Sequence, residues 1–241
     1  MLRVKNLNLK TKEKSLLQGI SLDLKTNRVL GVLGRSGAGK SLLLKSLIRL
    51  LNKDLILSAE ELSVAGLNAL NLSSLNELRT RAGFIFQDAR ASFHPMFNMG
   101  ELFDLHLKER LSLNKRQRKE LSFKWLENLQ LDCELMWHSY AHQLSTGMAM
   151  RVQLALILAL GAKILLCDEL TSSLDQTNTK IIISIFKELK KEKSIVLISH
   201  DLDLIKELSD EIIVLEEGKI VKKQVRRIFS CLQKLIIVRL Y

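Results

Sequence analysis

Residues Gly34 to Ser41 read GRSGAGKS, and few stretches of eight residues leave a chain so little choice of fold. The pattern is G-x-x-x-x-G-K-[ST], and it lies between the apolar run RVLGVLG and a helical periodicity over Ser41–Leu51. A buried strand must therefore turn on glycines straight into a helix. Glycine lets such a loop wrap with its backbone N–H groups facing inward, where they bind anion oxygens. The helix N-terminus adds partial positive charge at the same place. The residues point to a phosphate chain: Lys40 to neutralise it and the Ser41 hydroxyl to ligate Mg²⁺.

The stretch reads as a P-loop, and the rest of the chain supplies the sheet it needs. Strands are predicted at LRVKNLNLK, LLQGISLDL, RVLGVLG, AGFIFQ (Ala82–Gln87), KILLCDE (Lys163–Glu169) and SIVLISH (Ser194–His200). Helices are predicted over roughly Met99–Leu131, from near Ser145, from Asp175 and, briefly, from Asp201. IIVLEEGKIVKK reads as a hairpin turning at Glu217-Gly218. Strands alternating with helices imply an α/β fold with a mainly parallel sheet core, preceded by an antiparallel β portion. Residues 1–241 are read as one domain, with a helical subdomain inserted at about 89–160.

ILLCDE, Ile164 to Glu169, is an apolar strand ending in two carboxylates. At the C-terminal edge of a parallel sheet, Asp168 can serve Mg²⁺ and Glu169 can polarise an attacking water. The same acids could equally be helix caps, and the P-loop tips the reading toward chemistry.

The order of these motifs resembles the nucleotide-binding domain of ABC transporters, over nearly the whole chain up to about Phe229. Gln87 in FIFQD looks like the Q-loop glutamine. HQLSTGMAMR (142–151) is similar to the family's signature LSGGQ-x-QR, with Ser145, Gly147 and Arg151 in agreement. SSLD, Ser172 to Asp175, looks like the D-loop, and His200 in LISHD stands at the switch histidine. The resemblance implies an ATPase using ATP and Mg²⁺. Its nucleotide contacts would be Gly34, Arg35, Ser36, Gly37, Ala38, Gly39, Lys40, Ser41 and Leu42, with Ser145, Thr146, Gly147, Met148 and Asp175 acting across a head-to-tail dimer. Ser41, Gln87 and Asp168 would hold Mg²⁺; Glu169, His200 and Gln87 would be catalytic.

FQDARASFHPMFNMGE (Phe86–Glu101) is similar to the nickel, dipeptide and oligopeptide importer branch, and Leu42 and Met148 look most like its short nickel-type subunit. The implied function is an ATPase subunit energising an importer for nickel or another small solute, with a di- or oligopeptide importer as the alternative. Its partners would be a paralogous ATPase subunit, two transmembrane permease subunits and an extracytoplasmic solute-binding protein, placing the chain at the cytoplasmic face of the inner membrane. Three departures matter. Thr146 replaces a signature glycine and Met148 a glutamine, so the site this chain offers its partner should be the slower of two. Thr11 stands near where the family has an aromatic that stacks on adenine. Leu170 replaces the proline after the catalytic Glu, with a subtle backbone effect expected.

Composition weighs on the competing readings. A net charge of +11, with KRQRK (115–119) and KKQVRR (222–227), would suit an ATPase acting on nucleic acid. Such proteins usually carry two fused domains or a long coiled-coil insertion, and neither is read here, so nucleic acid is not expected. A P-loop kinase would need an acceptor site and lid. Cys133, Cys167 and Cys231 form no CxxC pair, which argues for a reducing compartment. No apolar signal core opens the chain, and the longest apolar run, Leu154–Ala162, is far short of the ~20 residues a membrane helix needs. The expectation is a soluble chain that meets a membrane through its partners. Cys133, His138 and His142 read as structural residues.

Overall fold

The computed structural model describes residues 1–171 and 174–225. Ser172 and Ser173 of the predicted D-loop, Arg226 and Arg227 of the basic cluster, and Cys231 lie outside the described residues. The chain opens with β1 (Leu2–Lys10), β2 (Ser15–Leu24) and β3 (Val29–Leu33), then α1 (Lys40–Leu47). Next come β4 (Ile56–Ser58), β5 (Glu61–Val64), β6 (Leu67–Asn68), α2 (Leu75–Arg81) and β7 (Ala82–Ile85). Four helices follow: α3 (Met99–Arg110), α4 (Lys115–Asn128), α5 (Cys133–His138) and α6 (Thr146–Ala159). The chain then alternates through β8 (Ile164–Asp168), α7 (Gln176–Leu189), β9 (Ser194–Ile198) and α8 (Leu202–Leu208) to the hairpin β10 (Glu211–Glu216) and β11 (Lys219–Val225).

Two sheets result. β1, β2, β4, β5 and β6 pair antiparallel, and the larger sheet runs β11-β10-β3-β9-β8-β7, parallel except at β11. Its central strands are buried on both faces. In β3, β8 and β9 alternate side chains go to two different cores. Val29, Leu165, Cys167, Ile195 and Leu197 join the core under α3–α8. Leu30, Val32, Leu166, Val196 and Ile198 join the core shared with α1 and the antiparallel sheet. Continuous apolar runs in the sequence are what a two-sided parallel sheet requires.

Where the structure departs from the sequence reading, the cause is local. α1 stops at Leu47 and does not reach Leu51, because Arg49 takes φ 56 and Leu50 N donates to Lys45 O (2.9 Å), a left-handed helix stop. The pattern over Met99–Leu131 divides at Asn114, which forms a capping box with Gln117 (2.9 Å each way). The strand expected to reach Gln87 ends at Ile85, leaving Gln87 in a loop. The alternation of β1 breaks at Asn6, φ 47, where its register against β2 shifts. β4, β5, β6, α2 and α5 had no counterpart in the sequence reading. Each spans seven residues or fewer, too short to show a period.

α6 explains the apolar run that is too short to span a bilayer. It is buried nearly all round, lying among β7, α3 and α4. The approach is close: a Cβ on Gly83 of β7 would stand 2.0 Å from Ile157 Cγ2 of α6. Among the described residues no helix is long and apolar enough to cross a membrane.

Candidate functional site

The P-loop leaves β3 at Gly34 and enters α1 at Lys40. Gly37 has φ 79, a conformation that L side chains resist, and a Cβ on Gly34 would lie 2.3 Å from Leu215 O of β10. Gly39 is the N-cap of α1 and has no side chain to satisfy the first-turn amides, so the cap leaves them for an anion to take. The β10–β11 turn braces the loop from outside, with Gly218 N donating to Ala38 O (3.1 Å) and Gln18 N to Gly218 O (2.8 Å). Lys40, only 7% exposed, donates from Nζ to Gly34 O (2.8 Å) and Arg35 O (3.0 Å). Burial lowers its pKa from the ordinary lysine value, against the opposing pull of Glu169 and Asp168.

β8 carries its two carboxylates to the same edge. Ser41 Oγ donates to Asp168 Oδ1 (2.9 Å), so the two oxygens that would serve a metal already meet. Burial pushes the Asp168 carboxyl up from the ordinary value, and the Ser41 hydrogen bond opposes that. Ser41 Oγ, an Asp168 oxygen and the Gln87 amide oxygen are hard donors of the kind that would hold Mg²⁺. The donor set fits the metal.

Glu169 follows in a strained backbone, φ 55. Both its oxygens are engaged: Gln87 Nε2 donates to Oε2 (3.0 Å), and His200 Nε2 lies 3.0 Å from Oε1. The fold thus brings Lys40, Ser41, Gln87, Asp168, Glu169 and His200 together from four different segments. Thr11, by contrast, spends its hydroxyl on its own turn, accepting from Glu13 N (3.2 Å) and Lys14 N (2.9 Å). It presents no ring for a base. Leu170 is fully buried in the helix-side core.

Ser145, Thr146, Gly147, Met148 and Asp175 form a second cluster, at the starts of α6 and α7. Ser145 is the N-cap of α6, its Oγ accepting from Met148 N (3.2 Å). Asp175 caps α7 in the same way, through Asn178 N (2.8 Å), and also accepts from Asn178 Nδ2 (2.8 Å). These hydrogen bonds hold the Asp175 carboxyl below its ordinary pKa. The two starts touch: a Cβ on Gly147 would lie 2.5 Å from Asn178 Oδ1. Arg151, 8% exposed, ties the same turn to the end of α4. It donates to Gly147 O (3.2 Å), Leu129 O (3.3 Å) and Gln130 O (3.0 Å).

Two contributors escaped the sequence reading. Asn178 is one. The other is Gln153 of α6, which bonds Phe86 N (3.1 Å) and Ser92 Oγ (2.6 Å) on either side of Gln87. Its only sequence signal was a lone amide inside VQLALILAL.

Comparison with known proteins bears on the family and the fold. The family profile described as ABC transporter matches residues 17–172. Methionine import ATP-binding protein MetN of Helicobacter acinonychis is 35% identical over 213 residues, covering 86% of this chain and 62% of that protein. MetN of Clostridium tetani is 35% identical over 223 residues, covering 91% and 68%. Dipeptide transport ATP-binding protein DppD of Haemophilus influenzae is 34% identical over 210 residues, covering 85% and 64%. The chain thus spans just under two thirds of the length of several curated relatives it matches. A dimeric ATP-binding cassette solved in a post-hydrolysis state with ADP and Pi superposes with TM-score 0.81 at 25% identity, over 94% of this chain and 99% of that one. The cbiO1 subunit of Clostridium perfringens shares the fold, with TM-score 0.79 at 23% identity, over 98% and 92%. P-loop, paired carboxylates, signature helix and cassette architecture converge, and this chain belongs to the ABC transporter family, as an ATP-binding cassette.

Proposed function

We propose that this chain is the ATP-hydrolysing subunit of an importer for a small solute. The observation that carries the reading is Glu169, held between Gln87 and His200 beside a P-loop whose Ser41 meets Asp168. Lys40 and the loop amides would hold the β- and γ-phosphates, and Ser41, Asp168 and Gln87 would hold Mg²⁺. The metal, when bound, would supply charge neutralisation for phosphoryl transfer. Glu169 would orient and deprotonate the attacking water, and His200 would donate toward the γ-phosphate. Residues 1–241 would act as one domain, with the helical subdomain at about 89–160 facing the permease.

Two such domains would pair head to tail, each phosphate chain lying between one P-loop and the other chain's Ser145–Met148 helix start, with Asp175 close by. The partner would be a paralogous ATPase, docked with two permease subunits at the cytoplasmic face of the inner membrane and fed by a solute-binding protein. Nucleic acid has no part in this reading.

The solute divides into two readings. The Phe86–Glu101 segment, Leu42 and Met148 support nickel. The dipeptide and methionine names of the relatives support a small peptide or amino acid instead. The test is uptake of labelled nickel, dipeptide and methionine in cells carrying this chain or Glu169→Gln at matched expression. The solute whose uptake is lost in the variant is the cargo. Unchanged uptake of all three, with ATP turnover abolished, would remove the importer reading for these solutes.

A further inference from the structure

The loop that carries Gln87 is held by a residue with no role in the chemistry described so far. Gln153 lies in the second turn of α6, is 5% exposed, and is followed by the apolar run Leu154–Ala159. A buried amide is costly unless its polar atoms are bonded. Both are: Phe86 N donates to Gln153 Oε1 (3.1 Å), and Gln153 Nε2 donates to Ser92 Oγ (2.6 Å). A backbone N–H can only donate, so the first bond fixes which way the amide faces, and the second follows.

The segment between the two pins is itself a closed turn. Asp88 Oδ1 accepts from Ala91 N (3.1 Å), Ser92 Oγ donates to Ala89 O (2.6 Å), and Ala89 is 1% exposed. One side chain therefore grips a short, internally bonded loop at both ends, and Gln87 projects from it to Glu169 Oε2 (3.0 Å). We propose that Gln153 is the positioning residue that sets Gln87 against Glu169 and ties that placement to the helix begun by Ser145–Gly147. A displacement of α6 would be passed to Gln87 through two hydrogen bonds. The inference rests on the role proposed above for Gln87.

The test is a double-mutant cycle on the full chain in its purified assembly, with Gln153→Met, Gln87→Ala and the pair. Methionine keeps the volume and helix propensity and removes both bonds. Gln153→Met should lower kcat by about threefold to thirtyfold with KM for ATP unchanged, and should add nothing in the Gln87→Ala background. Independently of turnover, amide exchange at Phe86 in nucleotide-free protein should quicken by about tenfold or more. Ser92→Ala, which removes one pin from the loop side, should shift kcat in the same direction. If Gln87→Ala lowers kcat while Gln153→Met does not, or if the two losses multiply, the inference is overturned and the Gln87 role stands. If Gln87→Ala itself has no effect, the role of Gln87 falls, and this inference with it.

Discussion

At the residue scale the site holds groups away from their most comfortable state. Lys40 and Asp168 are buried charges whose pKa values shift toward neutrality, and Glu169 sits at φ 55. A left-handed backbone is costly for any residue with a Cβ and free for glycine. Glu169→Gly and Glu169→Ala both lose the carboxylate, so their difference isolates the backbone cost. The glycine variant should be the more stable by about 1 kcal/mol, or about 2–4 °C in Tm. Thermal denaturation of the two, side by side, checks it. Equal Tm values would mean that the strand end relaxes without cost.

At the element scale, helix starts are the working parts. Gly39, Ser145 and Asp175 are the N-caps of α1, α6 and α7, so these three stand where first-turn amides lack intrahelical partners. The contact of Gly147 with Asn178 locks two of these starts together. Gly147→Ala should lower Tm by several degrees through overpacking, although alanine is the better helix former. Asn178→Ala should restore most of that loss in the double variant, and additive losses would refute the contact.

α3 gives a pH-dependent case. Half-buried His106 has its pKa lowered, chiefly by burial, with Glu109 opposing. Unfolded chain then binds a proton below the ordinary histidine value of 6.5 that folded protein resists, so stability falls as pH drops through that value. His106→Gln should flatten this loss in urea denaturation between about pH 7.5 and 5.5. A variant whose stability falls as steeply as the parent's would assign the loss elsewhere.

At the scale of the whole molecule, the proposed head-to-tail pair would hold two sites that share the work unequally. This chain's P-loop, Asp168, Glu169 and His200 resemble the family pattern, whereas Thr146 and Met148, in the segment it would offer a partner on the proposed reading, depart from it. Thr146 is half-buried at the first position of α6, where on the proposed reading a side chain would narrow the approach of a phosphate. Thr146→Gly should raise ATP turnover of the assembled pair by about twofold if the site built on this α6 becomes competent, a lowering of the barrier by about 0.4 kcal/mol. Phosphate release by the purified pair measures it, and unchanged turnover would show that Thr146 does not weaken that site.

How much of this was legible in the sequence depended on the range of the interaction. GRSGAGKS, ILLCDE, LSTG and SHD announce themselves because local backbone needs, glycine freedom, a buried strand or a helix cap confine them to adjacent residues. The cassette class and the parallel sheet could therefore be read without coordinates, and the proposed site residues were named from the same local patterns. So could the hairpin at Glu217-Gly218, where φ values of 45 and 76 match the turn predicted. What only the tertiary structure decided was which side chains meet. Gln153 reaches a loop 67 positions earlier in the chain, and Glu169 meets Gln87 across 82. Asn178 presses on Gly147 from another helix. No periodicity encodes such contacts. A lone Gln in an apolar helix or an Asn after a cap looks unremarkable until packing brings its partner alongside, because a hydrogen bond acts over about 3 Å and depends on position in space.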